Sequence, residues 1–116
     1  MWGCVLAQHL ARKSSVRLWE FAPALTEILK KTRRLKHIPG FRLDSSVRVT
    51  NDLVEACHDA DLLLFVLPSK ALAATAKLIR SKIKLSKSVV AVNASKGIEP
   101  ITLATMGDII AREIPS

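Results

Sequence analysis

The sequence predicts an α/β fold with parallel strands, and three observations carry that prediction. Helical and β-type periodicities alternate along all 116 residues. The run Leu62-Leu63-Leu64-Phe65-Val66-Leu67 is apolar at every position, as expected of a central parallel strand covered by helices on both faces. A second β-rich run, Val89-Val90-Ala91-Val92-Asn93, leads directly into Ser95-Lys96-Gly97-Ile98-Glu99. Strands that alternate with helices pair in parallel through right-handed crossovers.

Val5, Leu6, His9 and Leu10 fall at helical spacing between Gly3 and Lys13, and Ala7 and Ala11 are small enough for close packing, which predicts an amphipathic helix ended by Ser14-Ser15. Val16-Arg17-Leu18-Trp19 alternates and is β-rich, so it reads as a strand. Glu20 and Pro23 then lead into a helix from about Ala24 to Thr32, with Leu25, Ile28 and Leu29 on one face. A basic, poorly patterned segment runs on to Pro39-Gly40, which stops regular structure. Ser46 to Thr50 predicts a short strand with Val47 and Val49 pointing one way, and Asn51 or Asp52 suits the N-cap of a helix through Leu53, Ala56 and Cys57. Beyond the apolar run and Pro68-Ser69, Leu72, Ala76, Ile79 and Ile83 mark a helix from Ala71 to Ile83. Ser88 to Asn93 gives the next strand. Pro100 opens a last helix, Thr102 to Glu113, with Leu103, Met106, Ile109 and Ile110 as its core face.

Composition bounds the function classes. A chain of 116 residues, 49% hydrophobic, fits one domain or part of one. Cys4 and Cys57 are far apart, without metal-ligand spacing, and nothing before them reads as a secretory signal; both are expected to be buried thiols in a reducing, cytoplasmic setting. No apolar run approaches the roughly 18 to 20 residues of a membrane-spanning helix, so no membrane partner is expected. The net charge of +8 would suit a nucleic-acid partner, but the cations are scattered and no aromatics alternate with them as stacking platforms. Solvated helix faces, or a missing acidic partner region, account for them better, and no nucleic-acid partner is expected. His9, His37 and His58 lack ligand or triad spacing and read as surface or packing residues, so no metal is expected.

Lys96 is the first candidate functional residue. In open α/β sheets, ligands sit outside the carboxyl ends of the strands, and a lone cation there is a place for an anion. Gly97 permits positive φ and a close backbone approach. A solvated turn lysine beside a turn glycine is the alternative. Trp2 and Trp19 read as packing residues on their size alone.

The series begins with a helix, whereas a doubly wound nucleotide-binding unit begins with a strand and a glycine-rich turn. Trp2-Gly3 stands where such a turn would end. Taken with Val5-Leu6-Ala7, Val16-Arg17-Leu18-Trp19, Ile38-Pro39-Gly40, Val49-Thr50-Asn51-Asp52-Leu53, Ala60-Asp61, Val66-Leu67-Pro68-Ser69 and Ser95-Lys96-Gly97-Ile98-Glu99, the chain resembles the N-terminal domain of the NAD-dependent glycerol-3-phosphate dehydrogenases. Trp2-Gly3 matches the last two positions of that family's G-x-G-x-W-G motif, and Ile38-Pro39-Gly40 its L-P-G; Arg34 stands where the family usually has asparagine.

The resemblance implies a partial Rossmann-like, doubly wound parallel sheet whose first strand is missing, with residues 1–116 forming a partial NAD-binding domain and the helical substrate domain absent. It implies an oxidoreductase that interconverts dihydroxyacetone phosphate and sn-glycerol 3-phosphate with NAD(P)H for glycerophospholipid synthesis. The family's catalytic lysine belongs to the other domain, so no catalytic residue is assigned here and the fragment is not expected to turn over alone. Cofactor contacts fall on Trp2, Gly3, Glu20, Phe21, Pro68, Ser69 and Lys96, and Lys96 also faces the substrate phosphate and carbonyl. Glu20, 17 positions after Gly3, would bond the adenosine ribose and repel a 2′-phosphate, favouring NAD over NADP. Its alternative is an exposed helix-entry acid. Phe21 lies against adenine or packs on the following helix; Pro68-Ser69 lines the ribose and nicotinamide side or merely stops a strand. The resemblance allows a homodimer of the full-length protein. A basic, non-catalytic nucleotide- or nucleic-acid-binding module is the competing class.

In the strand order 3-2-1-4-5-6, the absent strand would lie between Val16 to Trp19 and Leu62 to Leu67. Unpaired buried backbone groups cost about 1 to 3 kcal/mol each. Those two strands are therefore expected to leave a gap or to pair with each other, and NAD affinity to be weak.

Overall fold

The computed structural model describes residues 1–114. Helices and strands alternate strictly: α1 (Trp2–Leu10), β1 (Arg17–Trp19), α2 (Pro23–Thr32), β2 (Arg48–Thr50), α3 (Leu53–Cys57), β3 (Leu62–Phe65), α4 (Ser69–Lys82), β4 (Val90–Asn93) and α5 (Met106–Glu113). The order is the one expected. Two compact units result, Met1–Ala56 and the residues from Cys57 on, each built on one two-stranded parallel sheet. No ladder joins β1 to β3 among the described residues.

In the first unit, β1 and β2 pair Arg17 with Arg48, Leu18 with Val49 and Trp19 with Thr50. Val47 and Val49 point into a core shared with Cys4 and Ala7 of α1, Leu29 of α2, and Leu43. Helix α2 departs from its expected face. It buries Leu29 but turns Leu25 and Ile28 to solvent, and Thr26 takes the inner position. The Thr26 hydroxyl lies 2.9 Å from the Ala22 carbonyl and 3.3 Å from that of Glu20, so the inward-facing polar group is satisfied. Pro23 supplies the first turn, and Arg33, with φ at +57°, closes the helix in the left-handed region. Its guanidinium donates to the carbonyls of Val47 and Asp44, tying that end to the strand entry. Asp52 is the acceptor at the start of α3, taking the amides of Val54 and Glu55.

In the second unit, β3 and β4 pair Leu62 with Val90 through Phe65 with Asn93. Strand β3 is not covered on both faces as its apolar run suggested. Leu63 and Phe65 are buried, whereas Leu62 is 49% exposed, so the run serves one buried face. The strand also stops two residues early, because the Leu67 amide leaves the ladder for the Ser95 hydroxyl. Helix α4 packs against α5. Leu72, Ala76 and Ile79 form its inner stripe, and Met106, Ile109 and Ile110 that of α5.

The last helix starts at Met106 and not near Pro100. Thr105 and Asp108 form a reciprocal capping box there, and an antiparallel bridge between Ile98 and Thr105 closes the preceding segment into a turn. Leu103, expected in the core, sits in that turn at φ +59° and is exposed. The hydroxyl and amide of Thr105 hold the Asp108 carboxyl below its ordinary pKa. At the far end, Glu113 is buried and meets Arg80 of α4 at 3.4 Å and Arg112 at 3.2 Å. No helix of the described residues is long and apolar enough to cross a membrane.

Candidate functional site

The predicted site residues fall into two groups, one per unit: Glu20 and Phe21 after β1, with Trp2 and Gly3 in the first turn of α1, and Pro68, Ser69 and Lys96 after β3 and β4. Parallel pairing puts the last three on one side, since both strands of a ladder end on the same side.

In the first unit, β1 ends at Trp19 and the chain continues through Glu20, whose amide donates to the Thr50 carbonyl at 2.9 Å. The Glu20 carboxylate turns back on its own segment, accepting from the Ala22 amide at 3.2 Å. The Trp19 indole N–H donates to the Asn51 carbonyl at 3.1 Å. That anchored ring meets Phe21 edge-on, with centroids 6.2 Å apart and planes at 74°. Phe21 is 79% exposed, which removes the reading of it as a packing residue of α2. Trp19 is half-buried, but Trp2 is 57% exposed and so is not the packing residue its size suggested. Gly3 lies in the first turn of α1, where no side chain caps the free amides.

Cys4, next to Gly3, is buried. Burial raises its thiol above the ordinary value; the Met1 amino group pulls the other way, and the nearby Glu20 carboxylate adds to the rise. Because the folded thiol ionises later than the unfolded one, its contribution to stability is whole below the ordinary thiol pKa and is lost as pH rises through the raised value. Alkylation of Cys4 by iodoacetamide at pH 8 is expected to be at least about tenfold slower in the folded chain than in urea. Peptide mapping of the alkylated protein reads the ratio, and equal rates would contradict the burial.

In the second unit, β3 runs into Pro68-Ser69 and β4 into Ser95-Lys96-Gly97, and three contacts hold the two exits together. The Ser95 hydroxyl donates to the Phe65 carbonyl at 3.1 Å and accepts from the Leu67 amide at 2.9 Å. The Ala94 amide also donates to Phe65, at 2.9 Å. Gly97, at φ +116°, passes so close to Ser69 that a Cβ built on it would stand 3.0 Å from the Ser69 Cβ. Lys96 lies between these fixed points. Its side chain is exposed, and its ammonium has no partner among the described residues. Pro68 is the N-cap of α4 and Ser69 opens its first turn, without a side-chain cap. Pro68, Ser69 and Lys96 thus lie together, whereas Glu20 and Phe21 follow β1 and Gly3 lies in the first turn of α1.

Ser95 is the residue whose role sequence reasoning missed, since a serine before a lysine-glycine turn carries no signal beyond loop composition. The three histidines are exposed, and His58 lies 3.2 Å from Asp59, its neighbour in sequence. A groove of about 530 Å³ lined by Lys30, Arg33, Ser46, Arg48 and Glu55 opens at the amino end of β2, and none of the predicted site residues lines it. Its cations are engaged structurally, Arg48 with Glu55 at 2.8 Å and Arg33 with backbone carbonyls.

Strictly alternating helices and parallel strands define a Rossmann-type α/β domain, here in partial form. Residues 1–116 match the family of the NAD-dependent glycerol-3-phosphate dehydrogenase N-terminus, and the chain belongs to it. Among curated relatives, it is 36% identical over 114 residues to glycerol-3-phosphate dehydrogenase [NAD(P)+] 2 of Lactobacillus delbrueckii subsp. bulgaricus, covering 97% of this chain and 33% of that protein. It is 41% identical over 120 residues to glycerol-3-phosphate dehydrogenase [NAD(P)+] of Geobacter sulfurreducens, covering 98% and 34%. The chain therefore spans about a third of the length of these relatives. The crystal structure of glycerol-3-phosphate dehydrogenase from Coxiella burnetii shares the fold, with a TM-score of 0.86 at 21% identity over 99% of this chain and 35% of that one. The enzyme of Saccharomyces cerevisiae does so at 0.79, with 22% identity over 97% and 36%.

Proposed function

We propose that this chain is the cofactor-binding part of an oxidoreductase that interconverts dihydroxyacetone phosphate and sn-glycerol 3-phosphate with NAD(H). Family membership favours this over a non-catalytic binding module. The observation that carries the assignment to named residues is the cluster at the ends of β3 and β4, where a fixed loop presents an uncommitted ammonium beside Pro68 and Ser69. All 116 residues are assigned to the cofactor-binding domain, and turnover to a longer polypeptide of the relatives' kind.

The residues fit a dinucleotide. Gly3, in an uncapped first turn, offers free amides to the pyrophosphate, and Trp2 flanks it. The Glu20 carboxylate bonds the adenosine ribose hydroxyls, and the exposed Phe21 ring gives adenine a face to lie on. Pro68 and Ser69 line the nicotinamide side. When bound, the cofactor supplies or accepts a hydride. Lys96 holds the substrate phosphate or the carbonyl oxygen, and its charge stabilises the alkoxide that develops there once water is excluded. Two free thiols suit a cytoplasmic setting, and the product suits glycerolipid synthesis.

Glu20 gives the test. A charge-assisted hydrogen bond contributes about 1.5 to 3 kcal/mol, so Glu20→Ser is expected to weaken NADH binding by roughly tenfold or more while leaving NADPH binding unchanged or stronger. Energy transfer from Trp2 and Trp19 to the bound nicotinamide gives both constants. An unchanged NADH/NADPH ratio would refute the assignment of Glu20, and no NADH binding by the parent chain would refute the cofactor role.

A further inference from the structure

Between two strand exits that parallel pairing only brings near each other, something must fix where the Lys96 ammonium emerges. A lysine side chain has four rotatable bonds and samples a wide volume unless its backbone is held. Here the backbone is held on both sides. After Lys96, Gly97 rests on Ser69. Before it, the Ser95 hydroxyl makes two hydrogen bonds to the other strand's exit, giving to Phe65 and taking from Leu67. The Asn93 side chain accepts from the Ser95 amide at 2.8 Å, so the residue is fixed in its backbone as well. The Phe65 carbonyl has a second donor in the Ala94 amide, whereas the Leu67 amide has only Ser95 among the described residues.

We propose that Ser95 is a positioning residue for Lys96: its hydroxyl joins the exits of β3 and β4 so that the ammonium is delivered beside Pro68 and Ser69, where a phosphorylated three-carbon substrate binds. The inference rests on the reading of Lys96 given above and adds to it the group that sets its place. It explains why β3 ends at Phe65 although Val66 and Leu67 continue the apolar run: the Leu67 amide is spent on the hydroxyl instead of a ladder. It also explains how an exposed lysine without partners can act as a defined anchor. A serine places one hydroxyl at the length required, and threonine keeps that hydroxyl while alanine removes it.

The test follows acetylation of Lys96 by an N-hydroxysuccinimide ester, read by mass spectrometry, with NADH present and glycerol 3-phosphate titrated as protectant. Lys77, exposed midway along α4, is the internal control, and inorganic phosphate is run in parallel to separate phosphate recognition from recognition of the glycerol moiety. In Ser95→Ala the glycerol 3-phosphate concentration giving half-protection of Lys96 is expected to rise about five- to tenfold, the effect of one lost hydrogen-bonded link. Ser95→Thr is expected to restore it. Lys77 labelling and the far-ultraviolet circular dichroism should stay as in the parent, which a general loss of structure would not allow. Unchanged half-protection in Ser95→Ala, or failure of Ser95→Thr to restore it, overturns the positioning role alone. Absence of protection in the parent chain overturns the reading of Lys96, and this proposal with it.

Discussion

Gly97→Ala is expected to destabilise the protein by about 2 to 3 kcal/mol, while Gly40→Ala costs about 1 kcal/mol, although both glycines sit at positive φ. The difference lies in what the added methyl meets. At Gly40, with φ +83°, nothing stands within 4 Å of the built Cβ, so only backbone strain is incurred. At Gly97, with φ +116°, the same atom lands 3.0 Å from the Ser69 Cβ and 3.4 Å from its Oγ. Ser69 cannot swing aside, because its Cβ is fixed by the first turn of α4. Either the loop retreats, carrying Lys96 with it, or the helix start shifts. Thermal unfolding followed by circular dichroism should show a drop of roughly 10 to 20 °C for Gly97→Ala and less than half of that for Gly40→Ala. Equal drops would show that the close approach to Ser69 carries no cost. The functional consequence runs parallel: a loop displaced by a few tenths of an ångström moves the ammonium relative to Pro68-Ser69, so Gly97→Ala should weaken protection of Lys96 as well.

Much of this arrangement was legible in the residues, because it depends on periodicity and on chain order. The alternation from α1 to α5 followed from apolar spacing, and the parallel sense of both ladders followed from alternation. Parallel sense, in turn, put Glu20 and Phe21 after one strand and Pro68, Ser69 and Lys96 after others, all at carboxyl ends. What escaped was decided by single polar groups. Thr26 outcompeted Leu25 and Ile28 for the inner face of α2 because its hydroxyl found two carbonyls within reach, an outcome no hydrophobic stripe encodes. The capping box of Thr105 and Asp108 moved the start of α5 past Leu103, although Pro100 offered an earlier one. The end of β3 was set by Ser95, 28 positions ahead of Leu67, a pairing visible only once the strands are side by side. Apolar runs overstate burial for a related reason. Leu62 to Leu67 has no polar residue to mark an outer face, yet Leu62 is half exposed, because strand alternation turns it away from the side on which Leu63 and Phe65 are buried.

Leu72→Ala is expected to give the largest loss of stability of any single truncation considered, about 3 kcal/mol within a range of 2 to 5. Leu72 is fully buried on α4, one turn before Ala76 and two before Ile79, on the side that packs against Met106, Ile109 and Ile110 of α5. Removing its branched end forfeits transfer free energy and leaves a cavity that neighbours already at close packing cannot collapse to fill. Small domains have only about 5 to 15 kcal/mol in total, so this single change takes a large share. Leu78, on the same helix but 44% exposed, is the control; Leu78→Ala should cost no more than about 0.5 kcal/mol. Urea unfolding should place the two midpoints well apart at the same denaturant slope, and coincident midpoints would contradict the packing described. The effect reaches the site because Ser69 opens the helix that Leu72 fastens, three residues away and on the same first turn. A first turn freed to tilt carries Ser69 away from Gly97, so even below the unfolding midpoint Leu72→Ala should loosen the Lys96 loop. Amide hydrogen exchange at Gly97 and Ile98 is then expected to quicken in Leu72→Ala and to stay unchanged in Leu78→Ala.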